Sequence, residues 1–144
     1  DPVAFAFPRA HMPESYDFSF SGMKTSVKLT VEKNSEQGIP DERLIKNIAA
    51  SFQAAMVDVL VRKVERAVMD KAIHRVTMSG GVAANSELRR RMLKMAAERG
   101  IELFLPSISF CTDNAAMIAA AGWHHFNAKN FAGIDLNPKA YMPL

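Results

Sequence analysis

Residues 73–106 read IHRVTMSGGVAANSELRRRMLKMAAERGIELFLP, and the punctuation of this stretch decides the fold. Val76 and Met78 alternate with Arg75 and Thr77, the period of two that marks a strand with one face in a core. Gly80 and Gly81 end it. VAAN then leads into a segment whose Leu88, Met92, Met95 and Ala96 form an apolar helical stripe, and Gly100 is a good stop for that helix. IELFLP supplies a second short strand, closed by Pro106. A crossover of about 20 residues carrying a helix returns the chain to a parallel neighbour by a right-handed connection. The stretch therefore predicts a βαβ unit in an α/β fold.

Upstream, Pro40 and Asp41 open a long amphipathic helix over about 41–71. Leu44, Ile45, Ile48, Phe52, Ala55, Met56, Val59 and Leu60 fall in steps of one, three and four, as a packing helix requires. Arg43, Lys46, Asp58, Arg62, Glu65 and Arg66 are assigned to a solvated outer face. NSEQGIPDER is a loop before it, and MKTSVKLTVEK fits helix or strand, with helix preferred. SYDFSFSG alternates Tyr16, Phe18 and Phe20 against small or polar residues, a short strand signal broken by Gly22. Pro2, Pro8 and Pro13 keep the rest of residues 1–20 irregular. Downstream, an alanine-rich helix runs to about Lys129, and the tail from Asn130 reads as irregular.

A chain of 144 residues, 49% hydrophobic and 23% charged, is sufficient for one soluble domain with a core. No stretch suggests the roughly 20 consecutive apolar residues of a membrane span. One cysteine excludes an internal disulfide and fits a reducing compartment. A net charge of +3 permits a nucleic-acid partner without arguing for one. DPVAFAFPRAHM opens with an acid and has no continuous apolar core segment, so it does not read as a signal peptide. It reads as the middle of a longer protein.

Open α/β sheets bind ligands beyond the carboxyl ends of their strands. Two segments leave those ends here: Ser79–Asn85 and Ser107–Asn114. Gly80 and Gly81 lack a Cβ, so a ligand can approach their backbone N–H groups. The helix after Asn85 directs its positive end to the same rim, which favours an anion. Asp113 offers a hard oxygen suited to a metal ion or a sugar hydroxyl. Each has a plainer reading beside it: turn chemistry for Gly80-Gly81, helix capping for Asn85, and a helix-start cap or dipole partner for Asp113. Cys111 reads as a small buried cysteine, since no histidine has a spacing that would activate it. The adjacent His124 and His125 make a poor metal pair, and His11 and His74 have no visible partners. Arg89, Arg90, Arg91 and Lys94 form a basic cluster, either a solvated helix face or a contact for RNA phosphates.

Four stretches together, DFSFSGMKTSV, MSGGVAANSELR, FCTDNAAMIAAAG and the closing KAYMPL, resemble the C-terminal portion of the TsaD family, in the same order and over nearly the whole chain. These are tRNA N6-adenosine threonylcarbamoyltransferases, formerly called O-sialoglycoprotein endopeptidases or glycoproteases. The resemblance implies an RNase-H-like lobe of an actin/Hsp70/sugar-kinase-like (ASKHA) fold, with residues 1–144 as the C-terminal lobe and the N-terminal lobe outside this chain. It implies transfer of a threonylcarbamoyl group from threonylcarbamoyl-adenylate to N6 of adenosine 37 in tRNA, in the cytoplasm. It implies one divalent metal, iron or zinc, held by two histidines of a His-x-x-x-His motif and the aspartate of CTDN, which is Asp113 here. Asn85 would contact the adenylate, Gly80 and Gly81 would line its pocket, and Lys24 would lie near the cleft. TsaB and TsaE-like proteins are the implied partners. The departure is equally clear: this sequence contains no His-x-x-x-His, so the chain alone is expected to be inactive. Two competing readings are a metal-dependent glycoprotease, against which no Ser/His/Asp or His-Glu-x-x-His arrangement appears, and a non-catalytic actin-like binding module.

Overall fold

A computed structural model describes residues 1–10, 12–36 and 39–137. His11, part of the loop before the long helix, and the closing KAYMPL motif lie outside the described residues. The elements run α1 (Met23–Asn34), α2 (Glu42–Lys71), β1 (Arg75–Thr77), α3 (Ser86–Arg99), β2 (Glu102–Phe104) and α4 (Ala115–Asn127), with 3-10 turns at Gly81–Ala84 and Ile108–Phe110. The fold is α/β and rich in helix.

The βαβ unit forms as the sequence predicts. β1 and β2 pair in parallel, with Val76 opposite Leu103. Met78 N–H donates to Phe104 O at 3.1 Å and Glu102 N–H to His74 O at 2.9 Å, extending the ladder at both ends. Between the strands α3 is capped at its start by Asn85 and stopped by Gly100 in a left-handed conformation, φ 65°. Its stripe of Leu88, Met92 and Met95 packs on Val57 and Val61 of α2, with Val76, Met78 and Leu103 of the strands closing the same core.

α2 is the centre of the molecule rather than a helix with one outer face. Asp41 caps it, its carboxylate accepting the Leu44 N–H at 2.6 Å. One side packs on α3; another packs Ile48 and Ala55 against Met23 of α1 and the buried Phe7. A third is covered by the N-terminal strap, which runs along α2 in the same direction: Phe5 N–H reaches Ser51 Oγ at 3.1 Å, Arg9 reaches Asp58, Lys63 donates to Met12 O and Ser15 O, and Tyr16 donates to Asp70 at 2.9 Å. Asp58 therefore leaves the solvated face to which its sequence position assigns it and is only 8% exposed. Arg9, Arg62 and Arg91 converge on it at 2.9, 3.1 and 2.6 Å. Burial by itself pushes its pKa up; the Arg91 hydrogen bond and the charges of Arg62, Arg91 and Arg9 more than offset this and hold the carboxyl below its ordinary range.

Two other expectations are corrected. α2 does have an 18-residue window apolar enough to cross a membrane, with a mean hydropathy of 1.4. Part of this apolar surface packs, Ile48 and Ala55 toward α1 and Val57 and Val61 toward α3, and 39% of the window is buried. Residues 16–20 are not a strand. A strand needs a neighbour to take its backbone bonds, and among the described residues the sheet holds only β1 and β2. Phe18 and Phe20 stack on each other instead, rings 6.1 Å apart and 5° from parallel.

Candidate functional site

β1 and β2 deliver their following segments to one rim. After β1 the chain passes Met78 and Ser79 to Gly80, at φ 87° and ψ 170°. This is a backbone region open in practice only to glycine. A Cβ built on Gly80 or Gly81 would meet no atom within 4 Å, so both glycines face open space. The φ of Gly80 accounts for the turn reading of this pair.

Asn85 has two ties. Its Oδ1 accepts the Leu88 N–H at 2.9 Å, the capping bond, and its Nδ2 donates to Gln53 Oε1 of α2 at 3.1 Å. Within this chain, then, Asn85 spends its carbonyl on the start of α3, and its amide leans on an exposed, easily displaced partner.

The second segment resolves the open question about Asp113. Asn114, not Asp113, caps α4: its Oδ1 accepts the Met117 N–H at 3.0 Å, and its Nδ2 donates to Thr112 O at 2.8 Å. Asp113 stands exposed beside a surface hollow of about 480 Å³ lined also by Asn114, Ala115, Met117 and Ile118. No hydrogen bond from the described residues reaches its carboxylate. The sequence reading gives the cap to Asp113; Asn114 takes it because it stands one residue later, at the last non-helical position, where its side-chain oxygen reaches the third helical N–H.

A cross-tie joins the two segments. Arg89 Nε donates to Ala83 O at 2.6 Å, and its Nη2 donates to Pro106 O at 2.5 Å and faces Cys111 Sγ at 3.2 Å. Cys111 is buried, as its sequence reading has it, and its thiol points to Ser107 O at 3.6 Å. The rest of the basic cluster is also engaged. Arg90 pairs with Glu87, Arg91 with Asp58 and Lys94 with Glu98. Arg90 and Lys94 are exposed and fit the solvated-face reading, whereas Arg89 and Arg91 are part-buried and turned inward. Sequence reasoning singled out Arg89 only within the basic cluster and missed this cross-tie: two of its partners are backbone carbonyls, and no residue type announces those.

Lys24 lies elsewhere. It sits in the first turn of α1 and lines an apolar groove of about 660 Å³ between α1 and α2, with Met23, Val27, Ile48, Phe52 and Met56. None of the rim residues lines that groove, which carries almost no polar surface and so little chemistry. His125 Nδ1 lies 3.0 Å from Asn130 Nδ2 at the far end of α4. Among the described residues no group of three or more His, Cys, Asp or Glu side chains gathers to hold a metal. A free carboxylate such as Asp113 fits one place in a metal's ligand set; the described residues do not furnish the others.

The fold is that of an α/β protein with two loops beyond a parallel strand pair, one carrying a glycine turn and the other an exposed carboxylate. Comparison with known proteins narrows this. Residues 1–120 match the family described as TsaD: tRNA N6-adenosine threonylcarbamoyltransferase, and the chain belongs to that family. A tRNA N6-adenosine threonylcarbamoyltransferase of Thermodesulfovibrio yellowstonii is 48% identical over 142 residues, 97% of this chain and 42% of the relative. Proteins of the same name from Cytophaga hutchinsonii and Geobacter sulfurreducens are 45% and 46% identical, covering 96% and 100% of this chain. The chain spans about two-fifths of the length of these relatives, 40% and 42% for the last two.

Proposed function

We propose that this chain is the C-terminal lobe of a transferase that moves the threonylcarbamoyl group from threonylcarbamoyl-adenylate to N6 of adenosine 37 in tRNA. The observation that carries the proposal is the rim. A glycine turn and the start of α3 stand on one side, Asp113 is free of any capping duty on the other, and the chain is a member of the family. In this reading the lobe is RNase-H-like, half of an actin/Hsp70/sugar-kinase-like fold, and the enzyme works in the cytoplasm with TsaB and TsaE-like partners.

The roles follow from the chemistry of each group. The N–H groups at Gly80, Gly81 and the start of α3 suit the anionic part of an adenylate. Asn85, released from Gln53, has a donor to offer the same ligand. Asp113 would furnish one oxygen ligand to a divalent iron or zinc ion, completed by histidines outside this chain. Such an ion, when bound, would supply Lewis-acid polarisation of an acyl carbonyl. The transfer forms a C–N bond to the adenosine amine, which gives up one proton, and breaks the C–O bond to AMP, which leaves with the bonding pair.

The exposed apolar face of α4 supports a site shared with another part of the protein. Met117 and Ile118, half to two-thirds exposed, border the hollow that holds Asp113. The test is a chimera in which this chain replaces the matching 142 residues of the Thermodesulfovibrio yellowstonii relative. With threonylcarbamoyl-adenylate and tRNA it should form modified adenosine, while residues 1–144 alone should not. Turnover by the isolated chain, or none by a folded chimera, overturns the proposal. A non-catalytic binding module predicts that folded but inactive chimera.

A further inference from the structure

Arg89 lies in the first turn of α3, where an arginine ordinarily meets solvent or a side chain three or four residues away. Arg90 does this, gripping Glu87 at 2.8 and 2.6 Å. Arg89 turns instead toward the backbone of both rim segments. Its contacts are Ala83 O in the first, Cys111 Sγ in the second, and the O of Pro106, the residue that leads into the second. Above the strands little else joins these segments: Met78 N–H to Phe104 O is the last backbone bond between them among the described residues. The guanidinium is a planar fork with donors at fixed angles, so two carbonyls bound to it are held at a set separation. A lysine ammonium, a single point on a flexible stem, cannot impose that spacing.

We propose that Arg89 is a positioning residue of this site: it sets the spacing between the Gly80-Gly81 turn and the segment that carries Asp113, and so keeps the two ends of one bound substrate in register. What the segments hold rests on the proposed function; the coupling between them is a property of this chain alone.

The experiment separates the two. Cys111 is the single cysteine, so its reaction with a thiol reagent reports the second segment, while amide exchange at residues 81–85 reports the first. In Arg89→Met both rates should rise together by about tenfold, the effect of losing one charge-assisted hydrogen bond. Exchange at Met92 and Met95 inside α3 should stay unchanged. Arg89→Lys should restore at most one of the two. Unchanged rates, a rise in one segment only, or an equal rise throughout α3 would each overturn the coupling. In the chimera, Arg89→Met should lower kcat by about tenfold with KM for tRNA unmoved, since misregister acts on the reacting geometry. Loosened segments with unchanged kcat would overturn the positioning role and leave the site reading intact. An inactive wild-type chimera would remove the function, while the thiol and exchange rates still decide the coupling.

Discussion

α3 and α4 are each reached from a strand of the same parallel pair, each through a 3-10 turn, and each begins at an asparagine whose side-chain oxygen takes the third helical N–H, at 2.9 and 3.0 Å. α3 then buries Leu88, Met92 and Met95 against α2 and the strands, and Ala96 is buried as well. α4 buries nothing, although it is the more apolar of the two. Its Trp123 stacks on Phe126 at 6.1 Å, and Phe126 meets Phe131, just beyond the helix, edge-on at 5.9 Å. The difference teaches that strand, turn and cap establish a helix locally, while what covers it is decided by distant chain. It also locates Asp113 at the head of the helix whose apolar face is uncovered among the described residues, where a ligand set can be completed from outside.

A direct way to break this comparison is to truncate one side chain on each helix. Met92, 2% exposed, touches the core on all sides, and Met92→Ala should cost about 2–5 kcal/mol in denaturant unfolding of this chain. Trp123, 61% exposed, should cost no more than about 0.5 kcal/mol as Trp123→Ala, despite being larger. Equal losses would mean that α4 is covered in solution and that the contrast is false.

A smaller effect sharpens it. α3 has a polar tie to α2 that α4 lacks: Arg91 donates to the buried Asp58 at 2.6 Å. Asp58→Asn leaves Arg9, Arg62 and Arg91 without a counter-charge and should cost about 1–3 kcal/mol at neutral pH. Because folding lowers the Asp58 pKa, the unfolded state binds more protons through the acid range. The contribution is therefore full above the ordinary carboxylate value, and is lost as pH falls below about 4 through the folded value. The stability difference between native protein and Asp58→Asn should shrink over that acid window, measured by urea unfolding at a series of pH values. A difference that stays constant to the lowest pH would show that the carboxylate is not held by its arginines.

Much of this was legible in residues. The alternation at Val76 and Met78, the stripe at Leu88, Met92 and Met95, and the stop at Gly100 are local signals, and local physics realised them. Phe18 and Phe20 misled because alternation describes a strand's faces without supplying its neighbour. Asp58 misled because its i,i+4 partner Arg62 looks like a surface pair, while Arg9 and Arg91 arrive from 49 and 33 residues away. At the rim the glycines, Asn85 and Asp113 stood out by type, whereas Arg89 showed only as one of a basic cluster, since the carbonyls it binds are ones every residue carries.

The proposal with most at stake is that Asp113, relieved of capping by Asn114, serves as one ligand of a metal. It is tested by the metal content of the purified chimera, read by elemental analysis. The account predicts one iron or zinc ion per chain in the parent. It predicts loss of that metal in Asp113→Ala, and retention in Asn114→Ala, which gives up only a helix cap worth about 1 kcal/mol. Full metal occupancy in Asp113→Ala would contradict it.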